Sequence, residues 1–351
     1  MNFNECDHEL KLSAQISMDS IEEDLCFYEQ IGVHDCYTWV TPEQATHDRL
    51  SALKAQCAAH GITLYHVGIA AYGKSADIQL GLAKRDEHIQ KFKAFLVLLG
   101  ELDIHLTTIT WEPNGALCTL TDGQCGRQIY APAARGGAMT RVCDWQILKE
   151  MPYTHGRFFS KEEMWENFTY FIKEVMPVAE KAGVRIALHP NDPPLQAAAG
   201  VSTLISSPAD YERAFAIANS RFFGMELCIG CWLEGGCTSF GNVGQAIQKF
   251  VKDDKIFVVH FRNVSGVLPY FIETFIDDGY ADMYAHMKEL VQSGYHGMLS
   301  LDHAPNLVGV GENAQKISCG YALGYIKGLW HSARQESATD MKRSNQHEGS
   351  L

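Results

Sequence analysis

The stretch Ser160–His189, SKEEMWENFTYFIKEVMPVAEKAGVRIALH, holds one complete helix-to-strand unit. Ser160 and Glu163 have capping-box spacing, in which hydroxyl and carboxylate satisfy the first free amides of a helix. Met164, Phe168, Phe171, Val175 and Val178 recur at alternating steps of four and three. That rhythm stacks them on one core-facing stripe and predicts a helix over Lys161–Ala182. Gly183 ends it, and Arg185–His189 follows as a short apolar run of strand length.

The same alternation runs outward in both directions. Upstream, strands are expected at Leu12–Ser17, His34–Val40, Thr63–Ile69 and Leu106–Trp111, and downstream at Gly224–Ile229, Ile256–Val264 and Met298–Asp302. Helix starts lie between them: Ser20 with Glu23, and Ser207 before Pro208 and Asp210. Asp282–Val291 carries Met283, Met287 and Leu290 on one face and closes at Gly294. Eight strand–helix units in series mean parallel strands with right-handed crossovers. The expected fold is an α/β (β/α)₈ TIM barrel. The alternative, an open doubly wound sheet, calls for a glycine-rich turn after its first strand, and Ser17–Ser20 has no glycine.

Residues 112–159 break the rhythm with Gly, Pro, Arg and aromatics in no clear period. A connection so long is usually functional. After a fourth barrel strand it sits on the catalytic face, so it is read as a lid or substrate-binding insertion. Residues 1–333 are expected to form a single domain. The polar stretch 334–351 is read as a disordered tail.

A formal net charge of −13 repels phosphate backbones, which argues against nucleic acid as a partner. An anionic small molecule would need local cations or a metal to hold it. The 11 cysteines are odd in number and scattered, so free thiols in a reducing cytoplasm are expected. No apolar run approaches the roughly 20 residues that cross a bilayer, and no membrane partner is expected. Oligomeric state, homo-oligomer or monomer, stays open.

Four consecutive strand ends carry metal-binding residue types: His189, Cys228, His260 and Asp302. Neighbouring strands lie roughly 4.8 Å apart, so donors at matching heights can converge on one ion. Taken singly, a strand-end His or Cys is more often a packed core residue. Together, on the face where barrels do chemistry, the four point to a divalent metal. A mixed nitrogen, sulfur and oxygen set leaves Mn, Fe, Co, Ni and Zn open and argues against Mg and Ca. Arg262, two residues past His260, shares its face if the strand continues, and fits a carboxylate clamp or a structural ion pair. His303, beside Asp302, suits an acid or base. Tyr37, His66 and Trp111 are further polar candidates at earlier strand ends.

The run His189-Pro190-Asn191-Asp192-Pro193-Pro194, with Leu227-Cys228-Ile229-Gly230, His260-Phe261-Arg262-Asn263-Val264 and Asp302-His303, resembles the D-mannonate dehydratase family. That family belongs to the xylose-isomerase-like barrels. Arg135-Gly136-Gly137-Ala138 is similar to an element the family carries in the same insertion. The resemblance implies a Mn²⁺-dependent lyase converting D-mannonate to 2-keto-3-deoxy-D-gluconate. It implies metal ligation by His189, Cys228, His260 and Asp302, and acid–base work by His303, with Arg262 beside it. His66, Trp111, Arg135, Asp192 and Asn263 become candidates for substrate binding. The family has Asp where Asn191 stands, and a catalytic Tyr after the eighth strand, for which Tyr321 is the candidate here. Two other readings remain: an isomerase or epimerase on the same barrel, and a non-catalytic sugar-acid binding protein.

Overall fold

Eight strands, each apolar enough to be buried on both sides, close on one another. They are β1 (Lys11–Gln15), β2 (Asp35–Val40), β3 (Thr63–Ile69), β4 (Leu106–Thr110), β5 (Arg185–His189), β6 (Phe223–Cys228), β7 (Ile256–His260) and β8 (Met298–Ser300). All pair in parallel in chain order, and β1 meets β8 to complete a closed barrel. This computed structural model describes residues 11–18, 21–120, 124–126 and 129–348. Ser20 of the first expected capping box lies outside them.

The helices obey the start and stop signals. α4 (Lys161–Ala182) has the Ser160–Glu163 capping box, buries Met164, Phe168, Phe171 and Val175, and ends on Gly183 at φ 70°. Gly takes that left-handed turn without the Cβ clash other residues meet. α5 (Pro208–Ala218) has Ser207 as its cap and Pro208 in its first turn. The remaining major helices are α1 (Ile21–Gln30), α2 (His47–Ala59), α3 (Arg85–Glu101), α6 (Ile229–Ser239), α7 (Val243–Lys252), α8 (Met283–Gln292) and α9 (Ala314–Glu348).

Two expectations change. The segment after Ala333 is not structureless: α9 runs to Glu348. Its early residues are good helix formers, and Lys288 Nζ on α8 bonds Glu336 Oε1 at 2.6 Å. Strand β7 also stops at His260 rather than reaching Val264, which redirects Arg262 as described below.

Inside the barrel, Leu106, Ala187, Val258 and Met298 pack with Phe257 into a small cluster. That leaves polar chemistry to the carboxyl end, where the insertion lies. Its Val142–Asp144 strand pairs antiparallel with Tyr270–Ile272 from the loop after β7, and Met139 bridges to Asn306 after β8. The insertion is thus stitched across the mouth at two points.

Candidate metal centre

Register decides the height of each donor. Thr110 lies opposite His189, Cys228 opposite His260, and His260 opposite Ser300, two residues before Asp302. One donor atom each from His189, Cys228, His260 and Asp302 falls within 4.8 Å of the others.

The hydrogen bonds show which atoms are left for an ion. His189 donates Nδ1–H to the Pro190 carbonyl at 2.7 Å, which frees Nε2. His260 spends Nε2 on Glu226 Oε1 at 2.7 Å, while its buried Nδ1 has no hydrogen-bond partner among the described residues. That orphan nitrogen lies 3.4 Å from Asp302 Oδ1. A ligating imidazole held through its other nitrogen by a carbonyl or carboxylate is the usual build of a metal site. Burial pushes the Cys228 thiol up, but Cys231 and Arg262 outweigh it and hold the thiol well below its ordinary range. Burial likewise raises Asp302, and His303, His260 and Arg262 more than offset it. Both shifts run toward the anionic forms that ligation requires. The residues fit a divalent transition metal.

Beside the centre is a cavity of about 160 Å³, lined among others by Tyr37, His66, Lys74, Glu112, Arg141 and His303. Arg141 comes from the insertion. Its Nη1 lies 3.2 Å from His303 Nδ1 and 3.8 Å from Asp192 Oδ2, and its buried Nε has no hydrogen-bond partner among the described residues. His303 Nδ1 is 3.1 Å from Glu273 Oε1, and its Nε2 is 3.1 Å from Asp302 Oδ1. Glu273 is held at about 2, because His303 and Arg262 overcome the opposing effect of burial. Glu112 goes the other way. Burial and the neighbouring Asp192 carboxylate push it up to about 7, against the Asp192 amide that donates to it at 2.7 Å. Burial lowers His66 to about 4, so that ring stays neutral.

Residues 144–340, more than half of the chain, match the family model of D-mannonate dehydratase (UxuA), and that span contains all four donors and His303. The chain belongs to the D-mannonate dehydratase family. It is 26% identical over 310 residues to "Mannonate dehydratase 2" of Halalkalibacterium halodurans, covering 81% of this chain and 87% of that one. The crystal structure of mannonate dehydratase from Streptococcus suis serotype 2 superposes with a TM-score of 0.75 at 22% identity, over 94% of this chain and 95% of that chain. A xylose isomerase domain protein from Planctomyces limnophilus gives 0.62 at 15% identity, covering 93% and 99%. At those identities the two structures speak for the fold, a xylose-isomerase-like barrel.

Within this mannonate dehydratase framework several expected roles change. Arg262 does not face the cavity. With β7 ended, its fully buried guanidinium bonds Asp302 Oδ2 at 2.9 Å and Glu234 Oε1 at 2.6 Å, and lies 3.3 Å from Glu273. It holds the carboxylate of Asp302, one of the four candidate donors, and is not free to clamp substrate. Trp111 is core, packed edge-on against Phe168 at 5.1 Å. Asn263 ties down its own loop by donating to the Ile276 and Ala281 carbonyls. Asn191 donates to the Trp111 carbonyl and accepts from the Ile205 amide. An Asp carboxylate there could only accept. His66 and Asp192 do line the cavity.

Arg135 and Tyr321 meet each other elsewhere. They line a separate surface hollow with Phe275 and Ile317, where Arg135 forks onto Asp277 at 2.9 and 3.2 Å. His155 bonds Asn114 Oδ1 at 3.0 Å within the insertion. Tyr321→Phe should therefore leave kcat/KM on D-mannonate within about twofold. A fall of roughly 100-fold, the scale of a lost general acid, would return Tyr321 to the machinery.

Arg141, Glu112, Glu226 and Glu273 are among the residues that sequence reasoning missed, as is Lys74. Glu226 had a signal: it stands two residues before Cys228 and so shares its strand face. Arg141, Glu112 and Glu273 lie in irregular segments with no period to mark them.

Proposed function

We propose that this hydro-lyase removes water from D-mannonate to give 2-keto-3-deoxy-D-gluconate, with His189, Cys228, His260 and Asp302 holding Mn²⁺. The convergence of those four donors beside a cavity that also holds two cations carries the reading. Fe²⁺, Co²⁺, Ni²⁺ and Zn²⁺ fit the same donors, and metal analysis distinguishes them. Residues 1–333 act as one catalytic domain, with 112–159 covering its mouth. We place the reaction in the cytoplasm. Its support is the free cysteines, including buried Cys36 and Cys57, whose thiols share a hydrogen bond at 3.6 Å rather than a disulfide.

A bound divalent metal supplies Lewis-acid polarisation of the carboxylate and neighbouring hydroxyl oxygens of the acid. Arg141 and Lys74 anchor the substrate anion in a protein whose overall charge would repel it. Lys74 is kept in place by its Nζ, 4.3 Å over the Trp39 ring. His303 takes the proton from C2. Glu112, whose carboxyl is neutral in a large fraction of molecules near pH 7, gives a proton to the hydroxyl leaving C3. The resulting enol becomes the keto acid by losing its C2 hydroxyl proton and gaining one at C3. The insertion keeps bulk water from the developing charge.

The test is incubation of Mn²⁺-loaded protein with D-mannonate and thiobarbituric detection of the 2-keto-3-deoxy acid. His303→Asn and Glu112→Gln should each lower kcat by roughly 10²–10⁴-fold while metal content is unchanged. No product from the metal-loaded protein would sink the reaction. Undiminished turnover in either variant would remove that residue from it.

A further inference from the structure

Cys231 takes no part in the mechanism, yet it is fully buried against a proposed ligand. Cys228-Ile229-Gly230-Cys231 is a C-x-x-C segment at the start of α6. Cys228 is the helix cap, and its sulfur accepts the Cys231 amide N–H at 3.4 Å. Positions three apart at a helix start face the same side. Here a single atom reports on both: Arg262 Nη2 is 3.6 Å from each sulfur. Gly230 permits this, because a Cβ there would come within 2.4 Å of the Arg262 guanidinium carbon. Cys228 Sγ in turn groups with His189, His260 and Asp302, which border the cavity.

We propose that Cys228 and Cys231 are a reversible oxidation site, in which peroxide closes a disulfide that takes the sulfur donor away from the metal. The inference rests on the reading of Cys228 as a ligand. Cys228 sulfur attacks one peroxide oxygen, the O–O bond breaks, and the departing hydroxide leaves as water with a proton. The Cys228 sulfenic acid is then attacked by Cys231 sulfur. The S–O bond breaks and a second water leaves with the Cys231 proton. The dithiol loses two electrons and two protons, and one peroxide becomes two waters. A thiol reductant reverses it. A bound metal occupies the Cys228 electron pair, so loading with Mn²⁺ protects the pair.

Full-length protein, chelated or Mn²⁺-loaded, is treated with hydrogen peroxide. Readouts are peptide mass mapping and Mn²⁺ binding by equilibrium dialysis. Chelated protein should lose two hydrogens from the segment holding Cys228 and Cys231, regain them with dithiothreitol, and while oxidised bind Mn²⁺ at least about 100-fold more weakly. Metal-loaded protein should oxidise at least about tenfold more slowly. Cys237→Ser should change none of this, since exposed Cys237 is the alternative partner. Cys231→Ser should replace the disulfide with higher oxides of Cys228. A pair that stays reduced, a disulfide lost in Cys237→Ser, or equal oxidation rates with and without Mn²⁺ would overturn the proposal. Reduced protein that binds no divalent metal would instead sink the metal centre itself.

Discussion

Asp302→Asn should bind Mn²⁺ more than about 100-fold more weakly, beyond the roughly 10–100-fold effect of losing an outer partner, and turnover should fall with it. The reason lies in how many groups this carboxylate joins. Oδ2 accepts Arg262 Nε at 2.9 Å and lies 3.5 Å from Cys228 sulfur. Oδ1 faces the unpartnered Nδ1 of His260 at 3.4 Å and His303 Nε2 at 3.1 Å. Asn keeps the shape but removes the charge, and presents an NH₂ to groups that need an acceptor. The fold should persist, because Arg262 retains Glu234. The checks are metal content after dialysis, kcat on D-mannonate at saturating Mn²⁺, and a circular dichroism spectrum. A native-like variant that holds Mn²⁺ as tightly as the parent would remove Asp302 from the ligand set.

The barrel was legible because short, mostly apolar strands alternate with helices, several of which start on a capping side chain, as at Thr46, Ser160, Ser207, Asn242 and Asp282. The Ser160–Glu163 box and the Gly183 stop appear where the spacing puts them. The clustering of the four candidate donors was legible for a related reason. His189, Cys228 and His260 are the last residues of β5, β6 and β7, and barrel geometry brings strand ends together without further information. What could not be read are contacts made by irregular chain. Arg141 reaches His303 across 162 positions, from an insertion whose strands are only two or three residues long. No periodicity survives in segments that short. Arg262 was misdirected by one assumption, that β7 continued to Val264. A strand that ends four residues earlier, two before Arg262, no longer alternates there, and the side chain goes into the wall. Tyr321 failed differently. It follows a glycine as expected, but lies on α9, 46% exposed and engaged with Arg135.

Arg262→Met should lower stability by about 3–5 kcal/mol, the usual effect of breaking a buried charge pair from one side. At roughly 2 °C per kcal/mol for a domain this large, chelated protein should melt roughly 6–10 °C lower. The guanidinium is fully buried and faces four carboxylates: Glu234 at 2.6 Å, Asp302 at 2.9 Å, Glu273 at 3.3 Å and Asp192 at 3.5 Å. Met fills much of the space but neutralises none of them. Glu234 is the most exposed to the loss in energetic terms, because burial and Asp192 already push its carboxyl well above the ordinary range. It is also on α6, so Arg262 adds a side-chain tie between that helix and Asp302. A double-mutant cycle separates charge from packing. Arg262→Met with Glu234→Leu should recover part of the loss, since one uncompensated carboxylate goes with the cation. If the two losses simply add, the ion pair is not the source of the stability. A melting temperature for Arg262→Met within about 1 °C of the parent would show that the carboxylates are satisfied without it.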